Sequence, residues 1–346
     1  MNDNQLLTVS SSPHIRSRTN TRSIMLDVII ALLPALCVSV YIFGLRALMM
    51  VVISIVSAVF FEWAYRKLLR KPNTVGDLSA AVTGLLLAYC MPANAPWWLP
   101  IPGTFFAIVI VKQLYGGIGK NFLNPALAGR AFLFSWPVAM TSWMAPLSYE
   151  TIFNFGADAV TGATPMASLH MGTLPGDGLL NMFLGHTGGS LGEVSAVALL
   201  VGGIYLVLRK VISLRIPLSY LLTVAVVTFV FPKNGNDHLQ WMLYNLCGGG
   251  LMLGAIFMAT DYCTSPVTKK GQVIFGIGCG LLTVFIRYFG SYVEGVSYAI
   301  LIMNVCVWLI DKITLPRRFG VSREDLKAQK AKAKADKKAA KGGAAQ

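Results

Sequence analysis

The chain has 346 residues, 55% of them hydrophobic and only 13% charged, with a formal net charge of +14. That is too little charge to cover a soluble chain of this length, and the apolar residues gather in runs of roughly 17–20, enough to span a bilayer as helix. A soluble globular protein is thereby excluded, and the composition defines an all-α polytopic membrane protein.

Residues 1–23 are polar and carry Arg16, Arg18 and Arg22. A long basic leader ahead of a full-length apolar run suits a cytoplasmic segment before a first span, not a cleavable signal. About ten spans follow, near 24–43, 47–65, 76–91, 97–114, 124–141, 193–208, 216–232, 241–260, 272–288 and 293–310. The cations test this reading. Arg66, Lys67, Arg70 and Lys71 follow the second span, Lys112 and Lys120 the fourth, and Arg209, Lys210 and Arg215 the sixth. Lys269 and Lys270 follow the eighth, and Lys312, Arg317 and Arg318 the tenth. All these clusters fall on one side, which is cytoplasmic by the positive-inside rule and holds both termini. The opposite loops carry little more than Lys233 and Arg287.

Residues 24–141 and 193–310 also resemble each other. Gly84-Leu-Leu-Leu-Ala, Pro92 and Lys112-Gln-Leu-Tyr-Gly in the first are echoed by Gly250-Leu-Met-Leu-Gly, Pro266 and Arg287-Tyr-Phe-Gly in the second. Each unit holds five spans, and an odd number reverses the second copy, so the expectation is an inverted repeat with helices interrupted near Pro92, Pro96, Pro125 and Pro266. Asp77 and Asp261 fall at matching cytoplasmic span ends, where either ion coupling or plain helix capping would explain a carboxylate.

Between the repeats, residues 142–192 form a long external loop inside a stretch from Ala131 to Leu208 that holds no Lys or Arg. After them, residues 311–346 are basic. From Pro316 on, ten Lys/Arg face three Asp/Glu, and from Lys327 the sequence is low-complexity without large apolar residues. Such a tail is expected to be disordered or loosely helical, and a contact with anionic membrane lipid fits it better than nucleic acid. The six cysteines contain no CxxC, and the four histidines lie outside the spans. Neither a zinc or iron–sulfur set nor a haem ligand pair is expected in this chain.

The external loop reads Asp158-Ala-Val-Thr-Gly-Ala-Thr-Pro. Its small residues leave the backbone open, and Pro165 holds Thr164 away from helix. On the residues alone, two readings stand: a turn that caps or connects, or a hydroxyl presented for modification. Asp158, Thr161, Gly162, Ala163 and Thr164 resemble the recognition motif of bacterial flavin transferases, with Ala159 where a glycine is frequent.

From about Ser11 to Arg318 the chain resembles the family that contains the RnfD components of the Rnf complexes and the NqrB components of the sodium-pumping NADH:quinone oxidoreductases. The segments that carry the resemblance are Lys112-Gln-Leu-Tyr-Gly-Gly-Ile-Gly, Asn124-Pro-Ala, Thr164-Pro and Gly188-Gly-Ser-Leu-Gly-Glu193. The short N-terminal segment and Thr-Pro after the motif favour the Rnf branch over the quinone-reducing one. The resemblance implies a urea-transporter-like pair of five-helix repeats in the bacterial cytoplasmic membrane. It also implies FMN joined by a phosphoester to Thr164, with Asp158, Thr161, Gly162 and Ala163 presenting the loop to a flavin transferase. A complex with subunits A, B, C, E and G is implied too, passing electrons between ferredoxin and NAD to drive Na+ or H+ export. The quinone-reducing relative adds a non-covalent riboflavin. With no Lys or Arg in the loop, phosphate charge falls to backbone N–H groups such as those of Gly188–Gly192 or to a helix start near Glu193. The contrasting reading from another class is a solute channel built on the same repeat. A topology reporter fused near Gly176 should score as external, and a cytoplasmic score would defeat the ten-span arrangement.

Overall fold

The computed structural model describes residues 19–144, 164–176 and 178–316. Asp158, Thr161, Gly162 and Ala163 lie outside these residues, as do Arg16 and Arg18 and the tail from residue 317. Every regular element among the described residues is helical, and the only extended pairing is an isolated antiparallel bridge between Pro92 and Ser190.

The apolar runs fold as α1 (Thr21–Phe43), α2 (Leu45–Leu68), α3 (Ser79–Tyr89), α4 (Pro100–Phe105) with a π-helical extension (Phe106–Gln113), and α5 (Pro125–Leu133) with the short α6 (Pro137–Met140). Further along come α7 (Pro165–Met171), α8 (Leu179–Leu184), α9 (Ala196–Leu208), α10 (Arg215–Val230) and α11 (His238–Cys247). The last are α12 (Leu251–Leu253) with its π-helical extension (Gly254–Met258), α13 (Lys269–Phe289) and α14 (Val296–Thr314). Four of these, α1, α2, α13 and α14, are long and apolar enough to cross a bilayer unaided. A fifth crossing forms if α11 and α12 count as one span bent by 64°. The remaining apolar helices α3, α4, α9 and α10 are shorter; α3 is almost wholly buried, whereas α9 and α10 expose apolar side chains such as Ile204, Leu218 and Leu222.

The interruptions differ from those expected at the prolines. Pro125 sits at the first turn of α5, where its missing N–H costs nothing, and the Asn124 side chain accepts hydrogen bonds from the Ala126 and Leu127 amides. Pro92, Pro96 and Pro266 lie in turns beyond helix ends. The real breaks inside expected spans are Trp136–Pro137 and the glycine run Gly248-Gly-Gly250, where Gly249 takes a positive φ of 65°.

Charged side chains inside the bundle find partners. Lys112, at the end of the α4 extension, meets Glu62 of α2 at 2.7 Å with side chains 4% and 1% exposed. Its Nζ also donates to Ser79 Oγ at 2.6 Å, and Thr74 Oγ1 donates to Glu62 Oε1 at 2.6 Å. Asp77 caps α3 by accepting from the Ser79 amide and hydroxyl. Asp261 accepts from Thr264 Oγ1 and makes no ion pair with Lys269. Arg46, in the α1–α2 turn, donates to the carbonyls of Asn94 and Ala95, so this cation on the sparsely basic side is consumed by the fold itself.

Breaking a buried pair strands a charge in low dielectric, worth about 3–5 kcal/mol. Lys112→Met should therefore lower the thermal midpoint of the detergent-solubilised protein sharply, and Lys112→Met with Glu62→Gln should recover much of the loss. Equal midpoints for the single and double variants would show that the pair is not coupled.

Candidate functional site

A cavity of about 670 Å³ opens where α5 ends and α9 begins. Its wall combines apolar and aromatic surface from Phe134, Trp143, Met166, Met182, Val194 and Tyr292 with the bare backbone of Gly188, Gly189, Gly248 and Gly249. A volume of this order takes a ligand the size of a nucleotide cofactor.

Thr164 lines this cavity. It stands just before α7 with extended backbone (φ −72°, ψ 152°), as a residue preceding proline must, and its hydroxyl does not bond back to the helix amides. Its carbonyl accepts from the Ala167 amide at 2.9 Å. Helix α7 is held in place by its own small core, in which Met166 and Leu169 pack on the fully buried Trp241 of α11. His170 Nδ1 meets the Arg287 carbonyl at 3.0 Å, and Lys233 Nζ donates to the His170 carbonyl at 3.0 Å. Partial burial pulls the Lys233 ammonium below the ordinary lysine value.

The floor of the cavity is charged. Arg130 of α5, only 4% exposed, donates to Glu294 Oε2 at 2.6 Å, to Ser297 Oγ at 2.8 Å and to Glu193 Oε1 at 3.4 Å. Arg287 of α13 donates to the carbonyls of Asn245 at 2.7 Å and Gly248 at 3.1 Å, satisfying orphan carbonyls at the end of α11. On the other side of the break, Glu294 accepts from the Gly250 amide at the start of α12, where an anion suits the helix dipole. A cation thus closes one half of the bent span and an anion opens the other. The Gly188–Gly192 segment is pinned by hydrogen bonds from the Leu191 amide to the Met91 carbonyl and from the Gly192 amide to the Tyr89 carbonyl, each 2.9 Å.

The structure therefore brings together Thr164, the glycine segment and Glu193, all singled out in the sequence. Arg130, Glu294 and the structural task of Arg287 were missed. One signal was available: Arg130 is a lone cation in the otherwise uncharged run 121–148, and such residues in spans face protein or cavities. A second cavity of about 100 Å³ lies at the opposite end of α5, lined by Ser79, Lys112, Asn124, Pro125 and Asp261. No cluster of metal-ligating side chains occurs among the described residues.

These features define a multi-pass membrane protein with a cofactor-sized cavity on a buried charge cluster. The chain belongs to the NQR2, RnfD, RnfE family, whose model matches residues 8–320. It is 53% identical over 323 residues to the D component of the Na(+)-translocating ferredoxin:NAD(+) oxidoreductase complex of Acetobacterium woodii, covering 92% of this chain and 96% of that one. It is 44% identical over 328 residues to the D component of the proton-translocating ferredoxin:NAD(+) oxidoreductase complex of Clostridium ljungdahlii (92% and 97% covered). The D component of the ion-translocating oxidoreductase complex of Stutzerimonas stutzeri is 40% identical over 329 residues (88% and 93%). Homologues of the chain are thus components of a redox-driven translocase.

A Cβ on Gly250 would run into the carboxylates of both Glu193 and Glu294. Gly250→Ala should therefore destabilise the protein by about 1–3 kcal/mol through overpacking, measured as a drop in thermal midpoint, while Gly189→Ala, with open space around it, should be near neutral.

Proposed function

We propose that this chain carries electrons through an FMN joined by a phosphoester to Thr164, within a membrane complex that couples ferredoxin and NAD redox to ion export. The single observation behind this reading is that Thr164, the last residue of the flavin-transferase motif, lines a cavity of about 670 Å³. The wall suits such a group: aromatic and methionine side chains for a tricyclic ring, exposed glycine backbone for polar edges, and Arg130 for negative charge. A flavin held there supplies redox chemistry that no side chain of the protein provides.

The chain's own residues then act as a holder. Pro165 keeps Thr164 extended, α7 fixes it against Trp241, and the pinned Gly188–Gly192 segment closes the wall. Asp158, Thr161, Gly162 and Ala163 present the loop to a flavin transferase. The partners are subunits A, B, C, E and G of the complex. The ion remains a choice between Na+ and H+, since two similar relatives are named one for each. The cavity of about 100 Å³ is too small for a second tricyclic ring, and the non-covalent riboflavin receives no residues here.

The architecture we infer is ten spans in two inverted five-helix repeats, with both termini in the cytoplasm and the 142–192 loop outside. Matching contacts support it. Helix α2 packs on α3 and α4 as α10 packs on α11 and α13, and the Ser57–Thr104 hydroxyl contact at 2.8 Å corresponds to Tyr220–Thr283 at 2.5 Å.

Phosphoester formation needs the threonine oxygen as nucleophile. Thr164→Val, made with the flavin transferase present, should give a folded membrane protein without covalent flavin, while Thr161→Ser should keep the adduct. Peptide mass spectrometry decides: an FMN adduct on Thr161, or one surviving in Thr164→Val, assigns the wrong residue.

A further inference from the structure

We propose that Arg130 sets the redox potential of the group held in the Thr164 cavity, by meeting the negative charge that reduction brings into it, and that Glu193 opposes this effect. The inference rests on the reading of Thr164 as a flavin anchor and assigns a task to side chains outside the attachment motif.

Three observations converge. First, Arg130 is the only cation among the described residues that line the cavity, and Glu193 and Glu294 are the only carboxylates. Second, the three are not equally bound. Arg130 and Glu294 are joined at 2.6 Å, whereas Glu193 stands off at 3.4 Å from the same guanidinium. Third, the Nε–H of Arg130 is buried without a hydrogen-bond partner among the described residues. A guanidinium has five donors and no acceptor. A buried donor left unpaired leaves part of the guanidinium charge unanswered by the protein's own acceptors.

The charge balance is simple. One electron comes from the ferredoxin side of the complex and later leaves toward NAD+. While it resides in the cavity, net charge there falls by one unless a proton follows. No bond in the chain is made or broken. Charges held in buried contacts are weakly screened, so the nearest fixed charges weigh on how favourable that added charge is. Arg130 lowers its energy and Glu193 raises it. Glu294 is largely neutralised by its short pair with Arg130 and its bond from the Gly250 amide.

The two residues therefore carry opposite predictions. The full-length chain would be expressed with a flavin transferase, purified in detergent and checked for the Thr164 adduct by mass spectrometry. Spectroelectrochemical titration at a single alkaline pH, where Glu193 is ionised although burial and the nearby Glu294 push its pKa up, then reads the flavin midpoint potential. Arg130→Gln should shift it to lower potential, Arg130→Lys should stay near the wild type, and Glu193→Gln should shift it to higher potential. A purely structural role for the cluster would not move the two variants in opposite directions. If Arg130→Gln yields no folded protein, Glu193→Gln decides, because it leaves the Arg130–Glu294 pair intact. Flavin present on Thr164 with an unmoved or lowered potential in Glu193→Gln overturns this inference alone. A wild-type chain without flavin on Thr164 overturns both it and the attachment reading.

Discussion

The pair between Arg130 and Glu294 is the contact on which the Thr164 end of the protein depends. Arg130 comes from α5 and Glu294 from the turn before α14, so a single 2.6 Å contact ties together segments 164 residues apart. Both side chains are nearly inaccessible, and taking each from water costs several kcal/mol before any attraction is counted. An apolar pair of similar volume would be cheaper as a means of holding helices. A buried charge pair at the floor of a cofactor-sized cavity is therefore better explained by what the cavity must hold than by stability.

The same carboxylate organises the bent span. Between α11 and α12 the backbone leaves the helix at Gly248–Gly250, which strands carbonyls on one side and amides on the other. Arg287 takes the carbonyls and Glu294 takes the Gly250 amide. Interrupted helices survive inside membrane proteins only where protein or a cavity satisfies their backbone. Here the interruption creates the opening, because Gly248 and Gly249 supply wall without side chains. The positive φ at Gly249 and the crowded space beside Gly250 explain why glycine stands at both positions.

Much of this was legible in the chain. Each apolar run carries helix because hydrophobic length is a long-range average that local detail does not disturb. The membrane class and the family follow from signals of that kind, and the contiguous motif singled out Thr164, which lines the larger cavity. The interruptions were not legible in the same way. Prolines 92, 96, 125 and 266 stood inside or beside the apolar runs and admitted either broken helices or plain helix ends, and each lies where its fixed φ and missing N–H are harmless. The working breaks are at glycines, whose meaning depends on what approaches them in space. The charge cluster was invisible for a related reason. Arg130, Glu193, Arg287 and Glu294 are scattered over the chain, and counting cations by side treats each as a topology marker. Arg46, Arg130 and Arg287 are instead internal ligands of backbone and carboxylate groups.

Helix α5 gives the two ends of the protein a common part. Its first turn lines the smaller cavity through Pro125 and Ala126, and Arg130 lines the larger one. At 1.5 Å per residue these positions are about 7.5 Å apart along the axis. The start of the helix is also fixed from the other unit, because Asn124 Nδ2 donates to the Met258 carbonyl at 3.1 Å. Charge arriving at Arg130 thus acts on a short, capped helix whose far end borders Lys112 and Asp261. A helix of nine residues anchored at both ends moves as a unit if it moves at all. α5 borders both cavities, so a change in the Arg130 contacts would act on the same helix whose first turn walls the smaller one.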